Sequence, residues 1–317
     1  MSTLEIITQK AMLEPVLIAT IDPKAKRIGI KVHFGRTSKP GSHVDPDLFL
    51  GMQAAAYEQG AVLEFFDTNT LYAGERRTTR THLKIAKDHG FSPARILEED
   101  ELIELAPHIK VPKQVGQYDQ IFNVAHFTGH KIVGMGGCIK NIGMGMAARA
   151  TKLWVHNGGR PRFYPSKCVK CGWCTRNCEH LSPKGPDAGC TACAACVGNC
   201  KAVGFSFGKQ LEVAKRLVIA AEAIAARFKM VHVAIADNPT RLCDCMGDKK
   251  DEIMAKGFWA VIGDDPAEVD RAMVQHFAWE ISKYYDSALI GGQLNFYRRL
   301  KERRAQDGDT QNTDKSN

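Results

Sequence analysis

Strand-like and helix-like segments alternate along the first half of the chain. The predicted strands cover residues 27–34, 61–66 and 120–125, and the predicted helices cover residues 46–59 and 78–89. A glycine follows each predicted helix, as expected where a helix ends. This order of elements predicts the α/β class, with a mostly parallel sheet flanked by helices on both faces.

The same alternation resumes after residue 208. The predicted elements are a helix over residues 208–229, strands over residues 230–236 and 258–262, and a helix over residues 266–285. We therefore predict one α/β domain whose first half is residues 1–163 and whose second half is residues 208–304. Residues 164–207 are inserted between the halves, and the polar residues 305–317 are expected to form a disordered tail.

Composition and charge exclude several classes of protein. The 317 residues are 44% hydrophobic and 25% charged, as in ordinary globular proteins. No apolar run approaches the ~20 residues of a membrane-spanning helix. The net charge of +8 is spread along the chain, so we expect no nucleic-acid partner. Residues 1–10 lack the pattern of a secretory signal, and we expect a cytoplasmic protein.

Eight of the 11 cysteines lie in the insert and form two copies of one spacing, C-x2-C-x2-C-x3-C. The first copy is Cys168, Cys171, Cys174 and Cys178, and the second is Cys190, Cys193, Cys196 and Cys200. In two-cluster bacterial ferredoxins, the last cysteine of each such run ligates the other cluster. The spacing therefore predicts a ferredoxin-like insert that holds two [4Fe–4S] clusters.

This crossover defines the two predicted ligand sets. One cluster takes Cys168, Cys171, Cys174 and Cys200, and the other takes Cys190, Cys193, Cys196 and Cys178. Zinc would leave the third cysteine of each run unexplained, and disulfides would require an oxidising compartment. The insert departs from the ferredoxin pattern in two ways, because no proline follows either run and only residues 179–189 separate them.

Polar loops follow the predicted strands, at the sheet edge where open α/β sheets bind ligands. The candidate catalytic residues in these loops are His33, Asp67, Asn69, His126, His130 and Lys140. A glycine-rich run after residue 133 could present backbone N–H groups to an anion or cofactor through Gly134, Gly136 and Gly137, with Lys140 adding charge. The run matches neither the P-loop nor the dinucleotide fingerprint. Each histidine taken alone is more often a structural residue.

The segment Cys243-Asp244-Cys245 lies at another predicted strand end. Two thiols separated by one residue could bind a soft metal, form a redox disulfide or attack a substrate. They could equally be a pair of unreactive thiols, since the pattern is short. An additional metal or cofactor site is therefore a hypothesis for this pair or for the glycine-rich run.

Together, these features resemble the DUF362 family of iron–sulfur proteins from bacteria and archaea. The resemblance spans most of the chain and is carried by residues 31–35 (KVHFG), 67–72 (DTNTLY) and 126–145, the double cysteine run, Cys243-Asp244-Cys245, and Asp265-Pro266 with Asp270. It implies an iron–sulfur redox role and an α/β domain interrupted by a ferredoxin-like insert. It implies no particular substrate.

We expect a redox enzyme in which two clusters relay electrons to a second site in the α/β domain, where a small substrate or cofactor is reduced. Lys140 would anchor the substrate, a histidine would donate a proton, and Cys243 with Cys245 would form a metal or redox centre. An electron donor or acceptor protein is the expected partner. The alternatives are a non-enzymatic electron carrier or assembly factor docking on a larger redox complex, and a protein whose clusters are purely structural.

Overall fold

The computed structural model of the protein describes residues 4–39, 41–245 and 252–313. The strands are β1 (Glu5–Ile7), β2 (Arg27–Lys31), β3 (Val62–Thr68), β4 (Ala94–Leu97), β5 (Leu102–Ala106), β6 (Ile109–Pro112), β7 (Gln120–His126), β8 (Thr128–His130), β9 (Gly134–Gly136), β10 (Arg162–Phe163), β11 (Leu181–Ser182), β12 (Gly185–Pro186), β13 (Val203–Gly204), β14 (Met230–Asp237) and β15 (Phe258–Gly263). The helices are α1 (Leu13–Ala19), α2 (Leu50–Glu58), α3 (Thr79–Asp88), α4 (Cys138–Gly145), α5 (Arg149–Asn157), α6 (Trp173–Asn177), α7 (Gln210–Ala225), α8 (Pro266–His276), α9 (Ala278–Ser282) and α10 (Ser287–Thr313).

A seven-stranded sheet runs in the order β1-β15-β14-β7-β2-β3-β4. Strands β14, β7, β2, β3 and β4 are parallel, whereas β15 is antiparallel to both β14 and β1. Its two central parallel strands, β7 and β2, pair with Ile30 opposite Phe122. The predicted α/β class with a mostly parallel sheet is confirmed. Strands from both predicted halves of the chain share this sheet, and the division into an α/β domain with an insert stays a prediction.

Helices cover both faces of the sheet and create two apolar cores. On one face α4 and α8 contact the sheet, α7 and α10 pack over them, and the core includes Ile139, Leu217 and Met273. On the other face α1, α2 and α3 enclose a core around Leu17 and Phe65. Burial on both faces explains why the central strands are almost continuously apolar.

Most predicted elements form within a few residues of their predicted ends, with two differences. The predicted helix over residues 266–285 is two helices, α8 and α9, with Phe277 between them. Helix α10 continues to Thr313, although residues 305–317 were expected to be a disordered tail; residues 314–317 lie outside the described residues. Its basic residues hold α10 to the domain, since Arg304 Nε donates to Glu222 at 2.6 Å and Lys301 Nζ to Asp265 at 2.6 Å.

The inserted residues 164–207 contain only short elements, α6 and β11 to β13. An apolar cluster joins this insert to the α/β domain, with Leu71 and Leu153 from the domain packed against Cys174, Cys196 and Val197. The two chain ends of the insert pair through β10 and β13. None of the helices in the described ranges is long and apolar enough to cross a membrane.

Candidate functional site

A cavity of about 300 Å³ lies beyond the carboxyl ends of β2 and β3, beside α4, α5 and α7. Five of the predicted site residues line it, namely His33, Asp67, His130, Lys140 and Cys245. These residues are up to 212 positions apart in the chain, counting from His33 to Cys245 (245 − 33). They meet here because parallel strands deliver their following loops to one edge of a sheet.

Three other predicted residues lie outside the lining of this cavity. Asn69 donates its side-chain amide to Thr79 Oγ1 at 3.0 Å and supports the loop after β3. The buried His126 pairs through Nδ1 with Asp244 Oδ2 at 2.8 Å. Cys243 is buried beside the cavity, where it contacts Lys140. Asn69 and His126 therefore position loops, and neither lines the cavity that a substrate would enter.

Three lining cations were not predicted as site residues, namely Lys31, Arg76 and Lys152. Each is at least nine-tenths buried, which is rare for lysine and arginine. Lys152 offers the clearest signal in the sequence, because it stands among apolar residues in α5. Lys31 and Arg76 carry no such signal, since one ends a strand and the other lies in a polar loop.

Asp67 and Lys31 form a buried ion pair at the base of the cavity. Lys31 Nζ lies 3.1 Å from Asp67 Oδ1 and also donates to Asn141 Oδ1 at 2.9 Å and to the carbonyl of Val32 at 3.1 Å. These contacts use all three donors of the ammonium. Although burial opposes ionisation, Lys31 and His82 lower the pKa of Asp67 below its usual range. The Lys31 ammonium is thus fully bonded within the protein, and the ion pair has a structural role beside the cavity.

Lys152 and Arg76 are less completely bonded. Lys152 Nζ donates to Thr68 Oγ1 at 2.7 Å and to the carbonyl of Asn69 at 2.5 Å, which leaves a third donor. Burial lowers the pKa of Lys152 to about 8. The Nη2 atom of Arg76 is buried and has no hydrogen-bond partner among the described residues. These two groups can therefore still donate to a ligand.

The pair Cys243 and Cys245 contacts Lys140 and His130. Lys140 Nζ lies 3.1 Å from Cys243 Sγ, and Cys245 Sγ lies 3.6 Å from His130 Nε2. The hydrogen bond from Cys243, together with the nearby charges of Lys140 and Arg76, lowers the pKa of Cys245 below its usual range. Cys245 is therefore favoured as a thiolate, which is the nucleophilic and metal-binding form of cysteine.

The donor atoms of His130, Cys243 and Cys245 lie within 4.8 Å of one another, an arrangement that can hold a metal ion. The hydrogen bonds of His130 argue against metal binding by its ring. Its Nδ1 accepts the backbone N–H groups of Ile132 at 3.1 Å and Val133 at 3.2 Å. Burial lowers the pKa of His130 to about 4, so the ring is neutral and its one proton is on Nε2, facing Cys245. Metal binding by the two cysteines stays a prediction.

The glycine-rich run has a packing role at its helix start. The carboxylate of Asp270 accepts the backbone N–H groups of Cys138 at 2.6 Å and Ile139 at 2.9 Å, the groups through which a helix start would hold an anion. A side chain at Gly137 would collide with Asp270, and one at Gly134 would collide with Ile290. The described lining of the cavity includes Lys140, from the following helical turn, and none of these glycines.

The two cysteine runs repeat in three dimensions as well as in sequence. In each run the third cysteine is buried, the second is exposed and the outer two are intermediate. Left-handed backbone occurs at equivalent positions, at Lys170 and Gly172 in one run and at Ala192 and Ala194 in the other. All 11 cysteines are free of disulfides. Residues 164–207 thus contain two equivalent loops of free thiols, compatible with iron–sulfur binding.

The cysteines of each predicted ligand set are neighbours. A cavity of about 150 Å³ is lined by the first predicted set, Cys168, Cys171, Cys174 and Cys200. Burial, together with Cys193, Cys190 and Cys178, the rest of the second set, raises the pKa of Cys196 to about 11. These thiols are compatible with iron–sulfur binding, and the number of clusters and the crossover stay predictions.

The cavity beside Lys140 and the cysteine module, residues 164–207, share a wall. Leu71 lines the cavity and also belongs to the apolar cluster that contains Cys174 and Cys196. Arg77, six residues further on, contacts Gly198 of the second cysteine run. The loop after β3 therefore touches both the candidate substrate cavity and the cysteine module.

Residues 28–275 match the family model described as Domain of unknown function (DUF362). Since the match covers most of the 317 residues, the chain belongs to this family. No curated protein matches the sequence. A crystal structure of a protein from Thermotoga maritima, Northeast Structural Genomics Consortium target VR152, aligns with 87% of this chain at 12% identity and a TM-score of 0.41. This chain covers 58% of that protein's length.

Proposed function

We propose that this DUF362 protein is an iron–sulfur oxidoreductase. In this proposal, two [4Fe–4S] clusters in residues 164–207 pass electrons to the cavity beside Lys140, where a small substrate or cofactor is reduced. The clusters, when bound, supply one-electron transfer at potentials anywhere between about −700 and +450 mV. In this proposal, the α/β domain determines which substrate is bound, and the partner proteins determine the direction of electron flow.

The observation that carries the proposal is the shared wall at Leu71. A carrier needs only a cluster module near its surface, whereas here one loop separates that module from a charged cavity. Concave pockets with a few convergent polar groups are the usual form of substrate sites. The arrangement supports electron delivery into the cavity over a short path through packed side chains.

Lys152 is the best-suited proton donor for a reduction in the cavity. Burial lowers its pKa to about 8, and a general acid works best when its pKa is near the operating pH. His130 is neutral, since burial and Lys140 hold its pKa at about 4. His33 is neutral for the same reason, with burial and Arg76 lowering its pKa. We therefore replace the expected histidine donor with Lys152, and assign the histidines to hydrogen bonding.

The proposal is tested in two steps on anaerobically purified protein. The first is iron and acid-labile sulfide analysis, for which two cubes require about eight of each per chain. A preparation containing zinc without sulfide would contradict the cluster assignment.

The second step follows a single turnover. Clusters are reduced with dithionite, excess reductant is removed, and cluster reoxidation by reducible small organic acids is followed by absorbance. We expect one or more acids to reoxidise wild-type protein at least about tenfold faster than Lys140→Ala, because removing a positioned charge slows a reaction by roughly that factor or more. Lys84→Ala, which changes an exposed lysine on α3, is the matched control. Equal rates in all three proteins would favour the electron carrier instead.

A further inference from the structure

The cavity beside Lys140 carries an excess of positive charge. Its described lining contains four cations, Lys31, Arg76, Lys140 and Lys152. Asp67 is the single carboxylate in this described lining, and it is already paired with Lys31. A buried cation is costly unless an anion or hydrogen-bond acceptors compensate it. With the Cys245 thiolate counted as a second anion, the described lining still holds four cations against two anions, and it therefore favours an anionic ligand.

Two of these cations are placed to meet that ligand. Arg76 is 5% exposed, yet within the part of the chain that the structure describes its Nη2 atom has no hydrogen-bond partner. Lys140 donates to Cys243 Sγ at 3.1 Å, and a lysine ammonium has three donors. Both side chains line the cavity together with Cys245, and their charges help to lower the pKa of that thiol. A carboxylate or phosphate group could accept from both at once.

Part of the cavity wall is apolar. This part includes Ile132, Val133, Met144, Val155, Phe207, Val213 and Leu217. Most of these residues come from α4, α5, α7 and the β8–β9 hairpin, whereas the polar lining comes largely from the loops after β2 and β3. A fully hydrophilic anion, such as free phosphate, would leave this wall without a partner. An apolar body attached to the anionic group would bury it.

We propose that the cavity binds a small organic acid, with its anionic group between Arg76 and Lys140 and its apolar body against α7 and Phe207. The volume of about 300 Å³ is at the lower end for ligand pockets and suits a molecule of this size. The inference names the substrate class of the proposed reduction site and so rests on the proposed function.

The test is anaerobic calorimetry on the cluster-loaded, oxidised protein. The probes are benzoate, hexanoate and phenyl phosphate, the neutral benzamide and hexanamide, and acetate as an anion without an apolar body. We expect at least one of the three larger anions to bind at least about tenfold more tightly than acetate and the neutral amides. The carboxylate and phosphate probes also distinguish the two acidic groups.

Variants locate the binding site. Lys140→Gln and Arg76→Gln should each raise the Kd of the best acid roughly tenfold to a hundredfold, as expected for a lost hydrogen bond to a charged group. Phe207→Ala, at an exposed position, should weaken binding of that acid and leave acetate unaffected. Lys84→Gln should change neither Kd, because Lys84 lies outside the cavity.

A further measurement needs no variant, since acid binding should weaken as ionic strength rises while amide binding should not. The proposal is wrong if no acid binds, if the amides bind as tightly, or if binding is insensitive to both salt and Lys140→Gln. Calorimetry involves no electron transfer. If an acid probe binds but no reducible acid reoxidises the clusters, the reductase alone is refuted. If neutral reducible compounds, added as a further arm of the single-turnover experiment, reoxidise the clusters as fast as the acids do, the acid alone is refuted.

Discussion

The imidazole of His156 is stacked on the ring of Phe205, with ring centroids 5.0 Å apart and planes inclined by 17°. His156 lines the cavity beside Lys140, and Phe205 packs against the apolar cluster of the cysteine module. Two residues beyond Phe205, Phe207 is part of the cavity wall. The chain that leaves the module thus completes the cavity, which makes the insert part of the site.

The crossover of the cysteine ligands can be tested by grouping variants. We expect Cys178→Ala to perturb the same electron paramagnetic resonance species as Cys193→Ala, because Cys178 lies beside Cys196 in the second set. Cys171→Ala should perturb the other species, since Cys171 lines the cavity shared with Cys200. Spectra in which Cys178→Ala groups with Cys171→Ala would show that each run serves its own cluster.

Leu71 should stabilise the contact between the module and the domain. It is 1% exposed, so Leu71→Ala is expected to lower the free energy of unfolding by about 2–5 kcal/mol. Leu50→Ala, at a position that is 58% exposed, is the control and should cost much less. Anaerobic denaturant titration measures both. A loss at Leu71 no larger than at Leu50 would mean that the shared wall is loosely packed.

Cys245 should be the more reactive thiol of the pair. Cys243 donates a hydrogen bond to it and Lys140 and Arg76 lie nearby, which lowers the pKa of Cys245 below its usual range. Anaerobic alkylation mapped by mass spectrometry should therefore modify Cys245 before Cys243, and its rate should level off at a lower pH than that of an ordinary thiol. Lys140→Gln should move the pH profile upward. Preferential alkylation of Cys243, or an unshifted profile in that variant, would contradict this arrangement.

Asp270 should stabilise the start of α4. Its carboxylate accepts two backbone N–H groups while fully buried, so Asp270→Ala is expected to cost about 1–3 kcal/mol of folding free energy. Asp270→Asn retains an acceptor and should cost less. Asp100→Ala, at an exposed position, is the control in denaturant titrations. A cost at Asp270 equal to that control would leave the helix start open to an external anion.

His232 should make stability depend on pH. Burial lowers its pKa in the folded protein to about 3, and its Nδ1 is 2.9 Å from Asn123 Nδ2. Its contribution is complete above the unfolded pKa of about 6.5 and is lost as pH falls toward the folded value. His232→Gln should therefore lose less stability than wild type between about pH 7.5 and about pH 5. Parallel losses in denaturant titrations would show that other groups cause the acid sensitivity.

The sequence by itself determined the features that depend on local spacing. Alternating strand-like and helix-like segments predicted the α/β class, because periodicity reflects which face of a segment is buried. The C-x2-C-x2-C-x3-C spacing predicted which cysteines share a volume, since a tight loop brings residues at that spacing together. His33, Asp67, His130, Lys140 and Cys245 were found because each follows or lies near a predicted strand end.

Only the tertiary structure decided how distant residues meet. Arg76 and Lys152 became cavity residues because the loop after β3 and helix α5 meet at the cavity, where Lys152 donates to Thr68 and Asn69, and no local pattern encodes this meeting. Asp270 occupies the start of α4 from 132 residues away in the chain and bonds the N–H groups that an anion would need. The charge of a cavity is a sum over residues joined by the fold, so it is determined by strand order and helix packing, and not by spacing along the chain.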